Sequence, residues 1–420
     1  MRQVVITPTI RRRIVGTIFV VSSLVSAAQI AYFTLTSIIA TDLSGSETLA
    51  GVPSTLSMVG RAVSAYPIGW IMGRFGRRIG LSWGMLLGLI GTLVSAWAIG
   101  SGSFWGFSIG AGLAGAARGA ADLGRYAAAE VNPPESRARS LGLVVFAGTI
   151  GAIVGPLLVS PSTQMASAFG LPADSGPYLI GAIFSALSLG ITYIFLRPDP
   201  LFLSKEYDQA EEAATAADGS VNRSASQLFA LGNVRLGIAA MAIGQLVMVM
   251  IMVITPLHMS NAGHGTRDIS FVIMAHTLGM FGLSTLTGWF IDRIGSIAVV
   301  VVGAVILIIA SLLSPFVGSV AGLAGALFLL GLGWNLCFLA GSTLLATGLL
   351  PGERGRVQGT SDTLSSAAAA LGSLSTGLLF AAGQLLLVSA VGLALSLGLF
   401  AAMFLFRREK PMSASSITET

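Results

Sequence analysis

The feature that most constrains this chain is a series of long runs without a single charged residue: 14–41, 79–117, 140–173, 175–196, 236–266, 269–291, 294–352 and 363–406. A helix that crosses a bilayer needs about 20 apolar residues. The runs 79–117, 294–352 and 363–406 are each long enough for two such helices, the last reaching back across Asp362 to about Val357. The stretch 49–73 supplies another, with Arg61 inside it. The pattern predicts twelve helices, near 14–40, 49–73, 79–99, 104–129, 140–160, 177–196, 236–258, 269–291, 296–316, 320–349, 357–382 and 384–406. Only 10% of the residues are charged, against about 25% in soluble domains, so a water-soluble globule and a disordered chain are both excluded. In lipid the backbone must satisfy its own hydrogen bonds, and the fold class expected is an all-α membrane protein. The 53 glycines suit closely packed membrane helices.

The basic residues give the topology. With the N-terminus in the cytoplasm, nineteen of the 23 Lys and Arg fall in cytoplasmic segments, one (Arg267) in an outer loop, and three (Arg61, Arg118, Arg125) within spans. The positive-inside rule then puts both termini inside. Arg11, Arg12 and Arg13 precede the first run as in a signal peptide, but the run is too long for a signal core and reads as a retained helix. The longest connection, 197–235, is acidic and Ala/Ser-rich. It separates a first six-helix half (1–196) from a second (236–406), and residues 407–420 read as a disordered cytoplasmic tail. The pI near 9.8 does not indicate nucleic acid, because the basic residues form short clusters between apolar runs. The partner implied is the lipid bilayer. Cys337 is the one cysteine, which leaves no disulfide framework, cluster or multi-cysteine zinc site, and no cofactor is expected.

The halves repeat. Gly69-Trp-Ile-Met-Gly73-Arg74-Phe-Gly76-Arg77-Arg78 follows helix 2, and Gly288-Trp-Phe-Ile-Asp292-Arg293-Ile-Gly295 follows helix 8, at an offset of 219 residues. Glu135-Ser-Arg137-Ala-Arg139 and Glu353-Arg354-Gly-Arg356 follow helices 4 and 10 at nearly the same offset. This chain resembles the major facilitator superfamily over essentially its whole length. The resemblance implies twelve transmembrane helices in two pseudo-symmetric halves, a monomer, and secondary transport by alternating access around a midplane site; the richness in Ala, Gly and Arg points to a bacterial source and so to the inner membrane. It also implies a conformational latch made by Gly69, Arg74, Gly76, Arg77, Gly288, Asp292 and Arg293. The first copy has Gly73 at the family's acidic position. Gly148, Gly151, Gly155 and Pro156 on helix 5 are similar to a motif of proton-coupled efflux members, without its trailing glycines.

Ionisable groups inside a membrane are costly and mark pathways or relays. Arg118, Asp122 and Arg125 stand at i, i+4 and i+7 on helix 4, hence on one face. They read as a charged cavity wall or as a structural ion pair, with Arg61 facing the cavity or pairing with Asp122. Asp122 and Asp362 are the candidate proton carriers.

A second concentration lies further along. His258, His264 and His276 are the only histidines, and half of the 14 methionines fall between 241 and 280. Met248 and Met252 are i, i+4 on helix 7; His276 and Met280 are i, i+4 on helix 8. Each pair shares a face. Thioethers with an imidazole form a soft set that suits Cu(I). Met-x-x-x-Met followed by His-x-x-x-Met resembles the CcoA-like branch of the superfamily, which contains bacterial copper importers and riboflavin transporters. The resemblance implies Met248, Met252, His276 and Met280 as metal ligands and His258 and His264, with Met259, as an entrance. The competing reading is packing, since methionine fills apolar interiors.

No nucleophile–base pair, zinc-type spacing or Walker motif is present, so an enzyme or an ATP-driven pump is not expected. Two transport readings stay open. One moves copper ions along the Met/His set. The other moves a small organic solute, a riboflavin-like vitamin inward or a drug or metabolite outward, contacted by Arg61, Arg118, Tyr126 and Trp334 and coupled to protons.

Overall fold

The computed structural model describes residues 7–132, 134–201, 203, 224–346 and 351–406. Most of the expected linker and the tail 407–420 lie outside them. Thirteen helices are present among the described residues: α1 (Pro8–Ser44), α2 (Val52–Phe75), α3 (Arg77–Gly100), α4 (Phe104–Glu130), α5 (Pro134–Ala168), α6 (Gly176–Phe195), α7 (Ala225–Ala230), α8 (Gly232–Asn261), α9 (Thr266–Phe281), α10 (Ser284–Ile294), α11 (Ser296–Leu313), α12 (Val320–Ala346) and α13 (Pro351–Phe406). The last holds non-helical backbone at Gly383 and Gln384. At about 1.5 Å per residue its 56 residues are far too long for one crossing, so it makes two, parted at the residue between the expected helices 357–382 and 384–406.

Together these elements make the twelve crossings expected. Nine stretches are long and apolar enough to cross a membrane by composition alone, one of them being the double-length 360–403. The two crossings outside that set, α2 and α4, carry Arg61 and the Arg118–Asp122–Arg125 group.

Three differences from the sequence reading have local causes. The eighth crossing is two helices, α9 and α10, rather than one. Asn335 of α12 donates to the Met280 carbonyl (2.7 Å) and to Ser284 Oγ (2.9 Å), and accepts from the Thr287 hydroxyl (2.6 Å). A neighbouring side chain thus meets the polar groups that the interruption frees. α5 starts at Pro134, earlier than 140, with proline pre-set for its first turn. The segment expected to be linker up to 235 is helical from Ala225. Ser224 and Gln227 form a capping box there, and α8 already begins at Gly232.

The packing has the symmetry of the repeat. Within the first half α2 and α3 both lie on α4, and α1 lies on α5. Within the second, α9 and α11 lie on α12, and α8 lies on α13. The halves meet through α2 against α13 and α5 against α9, with α1 touching α8. With six crossings per half, α2 corresponds to the eighth crossing and α5 to the eleventh. Small residues permit this closeness: a methyl added at Gly60 would overlap the Gly112 carbonyl oxygen, and one at Gly115 that of Ser57.

The start of α1 lies beside the ends of α4 and α6. Arg11 Nε donates to the Val131 carbonyl (3.2 Å), and Arg13 donates to that of Arg197. We call this the terminal face and its opposite the distal face. On the distal face the halves are fastened together. Glu47 accepts from Asn261 Nδ2 (2.8 Å) and Gln384 Nε2 (3.3 Å), and Ser373 Oγ donates to the Gly51 carbonyl (3.0 Å). Nearer mid-depth, Thr277 Oγ1 donates to the Ala152 carbonyl (3.1 Å).

Gly51 is the tightest point of this closure, since a side chain there would collide with the Ser373 carbonyl across the seam. Gly51→Leu is expected to part the halves at the distal face without unfolding either. Spin labels at Asp42 and Ala262, both exposed, should report a longer distance in the variant by double electron–electron resonance.

Candidate functional site

The charged residues of α2 and α4 come together as one network. Asp122 Oδ2 lies 2.7 Å from Arg61 Nη2, and Asp122 Oδ1 lies 3.2 Å from Arg118 Nε. Arg118 also donates from Nη1 to Ser26 Oγ of α1 (2.8 Å). Three helices are thereby tied at one depth. Arg118 is fourteen residues along α4, about 21 Å from the distal face. The Arg118 and Asp122 side chains are 23% and 25% exposed, whereas Arg61 is 49% exposed. Arg125 donates to the Tyr126 hydroxyl (3.1 Å), and its guanidinium lies 5.0 Å from that ring's centroid.

The second half presents Asp362, on the first arm of α13. Its charged neighbours are Arg125, Arg61 and Asp122. Asp362 therefore lies within electrostatic reach of the network from the other half. The second half also brings Trp334 of α12, fourteen residues into its helix and so at the same depth as Arg118. Its Nε1 donates to Gln245 Oε1 (2.7 Å), Phe338 stacks on it (4.9 Å), and Phe281 meets it edge-on (6.1 Å). Phe281 in turn lies next to Gly148 of α5, at the seam. Gln245, Ser26 and Asn335 are hydrogen-bond partners that charge-based reading does not single out. A lone Gln within the apolar run of α8 and a lone Asn within that of α12 are the signals among them.

The methionines and histidines are spread over several surroundings. Met248 and Met252 are buried within the apolar core of the second half. His276 is fully buried, with Nδ1 2.9 Å from the Leu327 carbonyl of α12; its Nε2 has no hydrogen-bond partner among the described residues. Met280, one turn on, faces the same helix at Gly331. His258 packs edge-on against Phe380 at 6.3 Å, and His264 Nδ1 is 3.9 Å from Asp268. Among the described residues no group of three or more His, Cys, Asp or Glu is arranged to hold a metal.

The repeated loops keep their symmetry in three dimensions. Gly76 and Gly295 both adopt positive φ (109° and 84°), a conformation glycine alone enters freely. Arg74 lies 5.7 Å from the Trp70 ring and Arg293 lies 5.2 Å from the Trp289 ring, the same pair one repeat apart. Gly69 and Gly288 have open space where a Cβ would stand, and Asp292 is exposed. The first loop, which has Gly73 in place of an acid, receives a carboxylate from elsewhere. Asp199, just after α6, accepts from the backbone N–H groups of Arg77 and Arg78 (both 2.9 Å), at the start of α3. A carboxylate at a helix N-terminus satisfies orphan donors and complements the helix dipole.

Comparison with known proteins places this geometry. The profile of the Major Facilitator Superfamily matches residues 18–372 and 236–420. The chain is 35% identical over 387 residues to an uncharacterised MFS-type transporter, YddS of Bacillus subtilis, covering 89% of this chain and 86% of the relative. It is 26% identical over 371 residues to the riboflavin transporter RfnT of Brucella anthropi, covering 88% and 89%. Among solved structures it is similar to an inward-facing bacterial homologue of the lysosomal transporter Spinster, with a TM-score of 0.73, 16% identity and 96% and 98% of the chains covered. A D-xylose–proton symporter superposes with a TM-score of 0.72, 16% identity and coverage of 94% and 98%. At these identities the structural likeness shows the fold.

The network makes a prediction about charge balance. Asp122→Asn leaves two guanidinium groups facing each other without their shared carboxylate, whereas Arg61→Gln leaves an Arg118–Asp122 pair. Removing the shared partner is the costlier change. Thermal melting in detergent should fall further for Asp122→Asn than for Arg61→Gln.

Proposed function

Because the chain belongs to the Major Facilitator Superfamily, we propose that it is a secondary active carrier that moves a small organic solute by alternating access, binding it between the halves at the Arg61–Asp122–Arg118 network. The observation that carries this reading is that a partly exposed ionic network on one half faces Asp362 of the other, level with Trp334. A purely structural pair would need neither the third arginine nor the exposure. The 26% identity to a riboflavin transporter favours an organic solute with a flat ring, and Trp334, Phe281 and Tyr126 offer rings to match. The excess of Lys and Arg in the terminal-face segments orients that face to the cytoplasm of a bacterial inner membrane. The closed distal face supports an inward-facing conformation in this reading. Asp122 and Asp362 are the two carboxylates available to couple protons, and the carrier works as a monomer.

A second reading is copper import through Met248, Met252, His276 and Met280. The buried, unpartnered Nε2 of His276 is the observation in its favour, since an imidazole nitrogen with no hydrogen bond can ligate a metal. The burial of Met248 and Met252 in the apolar core favours packing instead.

One pair of measurements separates the two. Cells expressing the protein should hold no more copper than cells with empty vector, by elemental mass spectrometry. Met248→Leu with Met252→Leu, which roughly conserves volume, should leave copper unchanged and the melting temperature nearly so. Copper accumulation that the double leucine variant abolishes would replace the organic-solute reading with the copper one.

A further inference from the structure

We infer that the solute is an organic anion and that Arg61 is the residue that receives its negative group. The inference deepens the carrier reading above and rests on it. Among the described residues the charged groups within electrostatic reach of one another here are three cations, Arg61, Arg118 and Arg125, and the anion Asp122 on the first half, with the anion Asp362 on the second. One positive charge is left over among these groups of the membrane-spanning helices, where an uncompensated charge is costly. A solute carrying one negative charge balances the site, and a neutral or cationic solute does not.

The partners decide which arginine makes the contact. Arg118 is engaged at Nε by Asp122 and at Nη1 by Ser26, and three-quarters of its side chain is covered. Arg125 is turned onto Tyr126 through both its hydrogen bond and its ring. Arg61 uses Nη2 alone, for Asp122, and half of its side chain is open. A guanidinium is a planar fork of five donors that matches a carboxylate with two parallel hydrogen bonds. With Asp122 holding one edge, the free edge of Arg61 is pre-oriented rather than floppy. Tyr126, itself 47% exposed, stands in the same wall and offers a ring face to the rest of the solute. Asp362 looks at this site from the other half and opposes an incoming anion, so it sets an upper limit on affinity and gives the carrier a reason to release its load.

The test uses the full-length protein in nanodiscs and three matched pairs of probes that differ in charge but hardly in shape: benzoate and benzamide, nicotinate and nicotinamide, indole-3-acetate and indole-3-acetamide. Binding is read by equilibrium dialysis. In at least one pair the carboxylate should bind tenfold or more tightly than its amide. Arg61→Gln should abolish that preference, and Arg12→Gln, at the exposed start of α1, should leave it. Asp362→Asn should tighten carboxylate binding severalfold, which keeps the proposal testable if the Arg61 variant does not fold. Carboxylates no tighter than their amides in all three pairs, whether both bind or neither does, overturn the proposal. So does a preference that survives Arg61→Gln. Counterflow in liposomes separates this from the carrier reading. Exchange of amides as readily as carboxylates leaves the carrier and removes the anion class; carboxylate-selective binding without exchange leaves the class and removes the carrier.

Discussion

Within a bilayer, helices gain nothing by exchanging lipid contacts for leucine contacts, so association depends on how closely backbones approach and on polar groups that find one another. This constraint shapes the whole molecule. α2 can lie on α4 only because Gly60 and Gly115 carry no side chain at the crossing. That approach brings Arg61 within reach of Asp122. The close crossing and the ion pair are one device: the glycines set the distance, and the charges make the pairing specific.

The same economy appears at the seam. The distal face is closed by hydrogen bonds that Glu47 accepts and Ser373 donates and by the close approach at Gly51, together with apolar contacts of Ala50 and Met58 against the core of the second half. Alternating access opens one face while it closes the other, and polar contacts such as these can be exchanged as it does so. The break between α9 and α10, supported from α12 by Asn335, places a second adjustable point in a helix that lies against α5.

The loops that join the second to the third crossing and the eighth to the ninth show how a repeat drifts while its geometry survives. Both keep a glycine at positive φ and an arginine over a tryptophan. The acidic position differs, Asp292 in one copy and Gly73 in the other. Asp199 supplies the first loop with a carboxylate from a different part of the chain. No alignment of the two motifs alone would find it, because it lies more than 120 residues from the loop it serves.

The sequence by itself determined the twelve crossings, the duplicated halves and the residues at which charge enters the membrane. The reason is that lipid imposes a local rule: about 20 apolar residues per helix, with each exception visible as a charged letter. Even the turn in α13 was legible. The interruption of the eighth crossing was not, since the groups it frees are met by Asn335, a polar residue on another helix. Nor could sequence choose among partners. Spacing put Arg118, Asp122 and Arg125 on one face, but only the packing of α2, α4 and α1 gave Asp122 both Arg61 and Arg118, gave Ser26 to Arg118, and left Arg125 to Tyr126. Likewise the i, i+4 spacing of His276 and Met280 put them on one face, and tertiary structure turned that face toward α12. Periodicity fixes which side chains lie together on a helix; what that face meets is set by neighbours that are distant in sequence.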